Sequence, residues 1–132
     1  MHEISLKTER KTQLIEITDQ IRETLGGTNG ATAALVYVPH TTAGVAINER
    51  IDPELVTDLE NAFTWVVGDD WEWRHDDEDG PNAPSHARAS LASSPQVLIP
   101  LRDGSLALGT YQGIFFCEFD GPRDRKIYVT TL

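Results

Sequence analysis

The stretch from Leu108 to Arg125, LGTYQGIFFCEFDGPRDR, limits what this chain can fold into more than any other. It opens at a glycine turn, Gly109, and runs into Ile114, Phe115, Phe116, Cys117 and Phe119. Apolar residues at successive positions fill both faces of a strand, so other parts of the chain must cover both. The same stretch carries Gln112, Glu118 and Asp120, and Gly121-Pro122 then turns it into Arg123 and Arg125. A carboxylate on a buried strand is costly unless something pairs with it. A metal, an arginine or a substrate would meet that need, and a plain structural ion pair meets it equally well.

What must cover that strand comes from a chain of 132 residues, 39% of them hydrophobic, which suits one domain with a core of its own. No apolar run nears the ~20 residues of a membrane span. MHEISLKTER lacks a basic region followed by an apolar one, so no secretory signal is expected and the cytoplasm is the default location. The single cysteine, Cys117, lies inside the apolar strand and reads as an inert buried thiol. A formal charge of −10 argues against nucleic acid as a partner, because such proteins gather Lys and Arg on one face.

The remaining elements follow in order. Residues 2–9 alternate as a half-buried strand, and residues 12–17 read as its hairpin partner across the polar turn Glu9-Arg10-Lys11. Thr18 or Asp19 caps a short helix with Ile21 and Leu25 on one face and Gly26-Gly27 as its stop. Residues 31–38 form a buried strand ended by Pro39, and residues 44–49 form another. Asp52-Pro53-Glu54 starts a helix with Leu55, Leu59, Ala62, Phe63 and Val66 at helical spacing and Gly68 at its end; Asp58 turns to a site or to water. Seven of the eleven residues 69–79 are acidic, and Trp71 and Trp73 alternate there as in an edge strand or ordered loop. Pro84 opens a further helix, closed by Ser93-Ser94-Pro95. Strands at 96–102 and 105–108 flank the turn Asp103-Gly104, and Arg125–Thr131 closes the sheet. The expected class is α+β: a compact, sandwich-like, largely antiparallel sheet with about three short helices.

Three of the four histidines sit at element ends: His40 after a strand, His75 in the acidic loop and His86 early in a helix. His2 reads as solvent-exposed. Three imidazoles leave a divalent ion, zinc or magnesium, an open position, as catalytic metal sites require. Glu49, Asp76 and Glu118 are available as ligand, base or hydrogen-bond acceptor. Thr41 and Thr42 offer hydroxyls beside His40, and Asn48 offers an amide. Arg123 and Arg125 clamp a phosphate or pair with an acid; Arg123 is expected to face the histidines, and Arg125 to take an acid or solvent. Capping or surface roles account for each histidine just as simply.

Taken together and in order, these pieces resemble the YjbQ family, often named secondary thiamine-phosphate synthase enzymes. The residues that carry the resemblance are Pro39-His40-Thr41-Thr42-Ala43, Ile47-Asn48-Glu49, Asp52-Pro53, Arg74-His75, Pro84-Ser85-His86, Ala89-Ser90-Leu91, Leu106 through Ile114, and Glu118-Phe119-Asp120-Gly121-Pro122-Arg123. Tyr111 stands where the family commonly has tryptophan, Trp73 where it has tyrosine and Ser85 where it has alanine. The resemblance implies a homotrimer with a polar pocket of three histidines where a metal binds. It also implies the joining of a thiazole phosphate to a pyrimidine methyl diphosphate. In that reading His40, His75 and His86 are metal ligands, Glu49 and Glu118 catalytic, and Thr41, Thr42, Asn48, Gln112, Asp120 and Arg123 bind the phosphate-bearing substrate. A metal-dependent hydrolase and a non-catalytic ligand-binding trimer are the alternatives.

Overall fold

Both faces of the apolar strand are covered, and by different things. The structure, a computed structural model, describes residues 1–28, 30–76 and 80–132. Its elements are β1 (His2–Lys7), β2 (Gln13–Glu16), α1 (Thr18–Leu25), β3 (Ala33–Tyr37), β4 (Ala43–Glu49), α2 (Pro53–Trp65), α3 (Ala83–Ala92), β5 (Gln96–Arg102), β6 (Ser105–Leu106), β7 (Gln112–Glu118) and β8 (Asp124–Thr131). Five strands form one sheet in the order β1-β8-β3-β5-β6, and three form a second in the order β2-β7-β4. Every strand pair is antiparallel. The class is α+β, as expected.

The apolar strand β7 is the centre of the smaller sheet. Side chains alternate across a strand. Ile114 and Phe116 therefore point to the large sheet and join a core with its Val36, Ile127 and Val129 and with Val45 of β4. Phe115, Cys117 and Phe119 point the other way, onto Val56, Leu59, Phe63 and Ala89 of α2 and α3. The layers are thus large sheet, small sheet, then α2 and α3, while α1 packs Ile21 and Leu25 onto the inter-sheet core. Burying each such side chain contributes roughly 1.5–3 kcal/mol. Among the described residues no helix is long and apolar enough to cross a membrane.

Asp52 caps α2 as its sequence indicates, its side chain accepting from the Glu54 N–H at 2.9 Å. Asp103 and Gly104 both have positive φ, 51° and 78°, which suits the mirror-image turn of a tight hairpin.

Other expectations are corrected. β1 and β2 are not a hairpin: β1 pairs with β8 and β2 with β7, in different sheets. Local proximity gives way to packing, since Ile4 sits across from Ile127 and both serve the inter-sheet core. The helix α1 has no side-chain cap; the Thr18 hydroxyl instead accepts the Ile114 N–H at 2.9 Å, tying helix to sheet. On α2 the inner face is Val56, Leu59 and Phe63 with buried Glu60, while Ala62 and Val66 face outward and Asp58 is exposed. Glu60 takes both Arg10 nitrogens and the Leu14 N–H, binding helix to strand. Of the two alternatives for the acidic stretch, edge strand or ordered loop, residues 69–76 take the loop, where Trp71 stacks on Trp73 with ring centroids 5.7 Å apart. The acidic residues 77–79 lie outside the described residues.

Candidate functional site

Proline fixes where the site begins. Pro39 has no N–H to continue the ladder, so β3 leaves β8 there. The His40 ring takes up the next bond: its Nε2 accepts the Lys126 N–H at 2.9 Å. Burial, and then the nearby Arg125 guanidinium, lowers the His40 pKa from its ordinary 6.5. Both observations describe a neutral imidazole whose one lone pair is engaged and whose Nδ1 carries the proton.

Arg125 lies on the inward face of β8, and Glu118 on the inward face of β7, so the two meet between the sheets. Arg125 Nε donates to Glu118 Oε1 at 2.8 Å, and Nη2 pairs with Glu118 Oε2 and donates to Thr42 Oγ1 at 2.8 Å. Glu118 Oε2 also accepts the N–H groups of Phe119 and Asp120, and Oε1 accepts the Thr8 hydroxyl at 2.7 Å. The carboxylate is fully buried and Arg125 nearly so. Arg125 Nη1 makes no hydrogen bond within the described chain.

The turn after β7 sets the second arginine. A Cβ at Gly121 would stand 2.2 Å from the Arg10 carbonyl oxygen, so only glycine permits this close approach. Thr8 Oγ1 accepts the Arg123 N–H at 2.9 Å. Arg123 Nε donates to the Asp120 main-chain oxygen at 2.8 Å, and Nη2 to Asp120 Oδ2 at 2.8 Å. Asn82, just before α3, adds its Nδ2–H to the same Oδ2 at 3.0 Å.

These groups line one polar cavity of about 310 Å³, bounded by Pro39, His40, Thr41, Thr42, Asn82, His86, Asp120, Arg123 and Arg125. A second cavity, about 460 Å³, adjoins it through His40 and Arg125 and is lined also by Ser5, Leu6, Lys7, Asp124 and Lys126. A ligand pocket typically measures about 300–1,000 Å³. Two guanidinium groups and two imidazoles face this cavity in a chain of net charge −10, and each guanidinium is paired with a carboxylate, Arg123 with Asp120 and Arg125 with Glu118.

The site expected from sequence is thereby divided. Thr41, Thr42, His40, His86, Asp120 and Arg123 come together, with Arg123 facing the histidines as expected. Asn48, Glu49 and Gln112 do not join them. They lie at the far end of β4 and β7, six strand steps or ~20 Å along β4 from Ala43. There Asn48 Oδ1 accepts the Glu49 N–H, and Gln112 Oε1 accepts the Gly109 N–H. Glu118 is at the correct end but has both oxygens engaged.

Of the three histidines, His75 and His86 stand edge to face with ring centroids 5.0 Å apart, and His40 and His86 share the cavity. Yet no group of three His, Cys, Asp or Glu among the described residues is placed to hold a metal. His40 would have to release Lys126 before its lone pair could reach an ion. As arranged, the residues do not fit a three-histidine metal centre.

Two residues of the site escaped the sequence reading. Thr8 bonds both the Glu118 carboxylate and the Arg123 backbone, but in sequence it is one more polar residue of an alternating strand. Asn82 precedes α3, where its type suggests a cap; its amide goes to Asp120 instead.

Comparison with known proteins places the chain among relatives. The family described as UPF0047 protein YjbQ-like matches residues 2–132. The UPF0047 protein YugU of Bacillus subtilis is 41% identical over 129 residues, covering 96% of this chain and 94% of its own. A UPF0047 protein of Methanocaldococcus jannaschii is 39% identical over 125 residues, covering 94% and 88%. The crystal structure of a YjbQ/UPF0047 family protein from Clostridium acetobutylicum superposes with a TM-score of 0.90 at 38% identity, over 100% of both chains. With the fold, the full length and the motif residues all matched, this chain belongs to the YjbQ-like UPF0047 family.

Proposed function

We propose that the cavity binds phosphate-bearing small molecules and joins a thiazole phosphate to a pyrimidine methyl diphosphate, the secondary thiamine-phosphate synthase reaction. The observation that carries this reading is the convergence of Arg123, Arg125, His40 and His86 on one polar cavity of a strongly acidic chain. In the reaction the thiazole nitrogen forms a bond to the pyrimidine methylene carbon. The bond from that carbon to the diphosphate oxygen breaks, and its electron pair leaves with the diphosphate. No proton need move at the new carbon–nitrogen bond, so the protein's work is to position two ligands and hold the departing charge. Arg125 Nη1, Arg123 and the Nδ1–H of His40 are the donors for that charge, and the Thr41 hydroxyl borders the same space.

Because His40 is engaged by Lys126, no step is routed through a metal. The hydrolase alternative needs a free carboxylate base on the cavity. Glu49 is remote, Glu118 is spent on Arg125, and Asp120 is tied to Arg123 and Asn82. The synthase reading is tested by supplying both substrates and measuring thiamine phosphate and diphosphate in equal amounts. Binding of both without product would leave a non-catalytic ligand-binding protein.

A further inference from the structure

Arg123 is held in two separable ways. Its Nε rests on the main-chain oxygen of Asp120, and only its Nη2 reads the Asp120 carboxylate. The guanidinium therefore keeps its place whatever the side chain of residue 120 does. The same carboxylate oxygen takes the Asn82 Nδ2–H. A carboxylate accepts and does not donate, which fixes that amide with its N–H toward Asp120. The other end of the amide, Oδ1, is buried without a partner. Among the described residues only the carboxylate holds the Asn82 side chain.

A guanidinium and an amide N–H thus converge on one anionic oxygen, inside a cavity whose second arginine has a nitrogen to spare. Donors of this kind suit any oxyanion. We infer that the Asp120 carboxylate is an internal stand-in, occupying the seat of the ligand's phosphate, and that phosphate binds by taking its place on Arg123 and Asn82. Arg125 does not take part in the exchange, because Glu118 and Thr42 fix it from below. The inference rests on the phosphate reading of this cavity and adds to it the group that competes for the seat. It reverses the role that sequence assigns to Asp120, from substrate binder to competitor.

The consequence is a gain of binding on removal of a cavity residue. Asp120→Asn keeps an acceptor for Arg123 but removes the charge that repels an entering phosphate. Calorimetric titration of the full chain with inorganic phosphate and with pyrophosphate is expected to give about tenfold tighter binding for Asp120→Asn than for wild type. Asp124→Asn removes a charge at the same end of the molecule, outside this cavity, and should change affinity less than twofold. On an Arg123→Lys background the gain should shrink, since the seat itself is impaired. Asp120→Ser serves as a second variant should the amide disturb the turn. Unchanged or weaker phosphate binding by the Asp120 variants would overturn the stand-in, and so would an equal gain in Asp124→Asn. Absence of binding in wild type and variants alike would instead overturn the phosphate reading and the inference with it.

Discussion

Glu118 of β7 and Arg125 of β8 belong to different sheets, and their buried ion pair joins those sheets at the end where the cavity opens. The pair does two things at once. It closes the sandwich where apolar packing ends, and it holds a guanidinium in place with one nitrogen left over for a ligand.

Removing one member strands the other charge in the interior, which typically costs about 3–5 kcal/mol. Glu118→Ala is therefore expected to lose stability on that scale in urea denaturation. Glu49→Ala, at the far end of the same sheet, should lose less than 1 kcal/mol. Equal losses would mean the pair is not what holds this end together.

His40 makes stability depend on pH. Its folded pKa lies below the ordinary 6.5, because burial and Arg125 disfavour the charged ring. Between the two values the unfolded chain binds more protons than the folded one, so stability rises with pH through that window and falls as the solution is acidified. Comparing denaturation midpoints at pH 7.5 and pH 5.5 should show the loss in wild type and a smaller one in His40→Ala.

Burial pushes the Cys117 thiol up to about 12. Almost no thiolate exists near neutrality, and the side chain is fully enclosed. Native protein at pH 8 is expected to resist a thiol-specific alkylating reagent for hours and to react within minutes in denaturant. Rapid labelling of the native form would contradict the packing of β7 against the helices.

Replacing Arg123 by lysine keeps the charge and removes the fork. If the cavity seats phosphate, affinity for inorganic phosphate should fall about tenfold while the melting temperature barely moves. If the arginine only locks the turn through Asp120, affinity should be unchanged.

The homotrimer is an expectation from the family resemblance, and mass checks it. Light scattering at micromolar protein is expected to give three times the 14.6 kDa chain mass. Exposed apolar residues, among them Tyr37 and Leu98 on the large sheet, Trp65 at the end of α2 and Trp71 after it, are the surfaces such an assembly would cover. A monomer mass ends the expectation.

Local chemistry alone settled much of this protein. Consecutive apolar residues made β7 a strand with two covered faces, Asp52-Pro53 fixed the start of α2, and Asp103-Gly104 fixed a hairpin. Each depends on residues within a few positions of one another, and sequence displays those directly. Period and turn chemistry say which way a side chain faces but not which strand it meets. That is why β1 found β8 rather than β2, and why Glu118 met Arg125 instead of a ligand. The tertiary structure alone decided that Asn48, Glu49 and Gln112 stand at the opposite end of β4 and β7 from Ala43 and Glu118: residues on one strand pair are kept apart by the ~3.3 Å rise of every step between them. It alone brought Asn82 to the cavity and Thr8 to Glu118 and the Arg123 backbone, because register between distant segments is set by the packing of the whole core and by no residue in isolation.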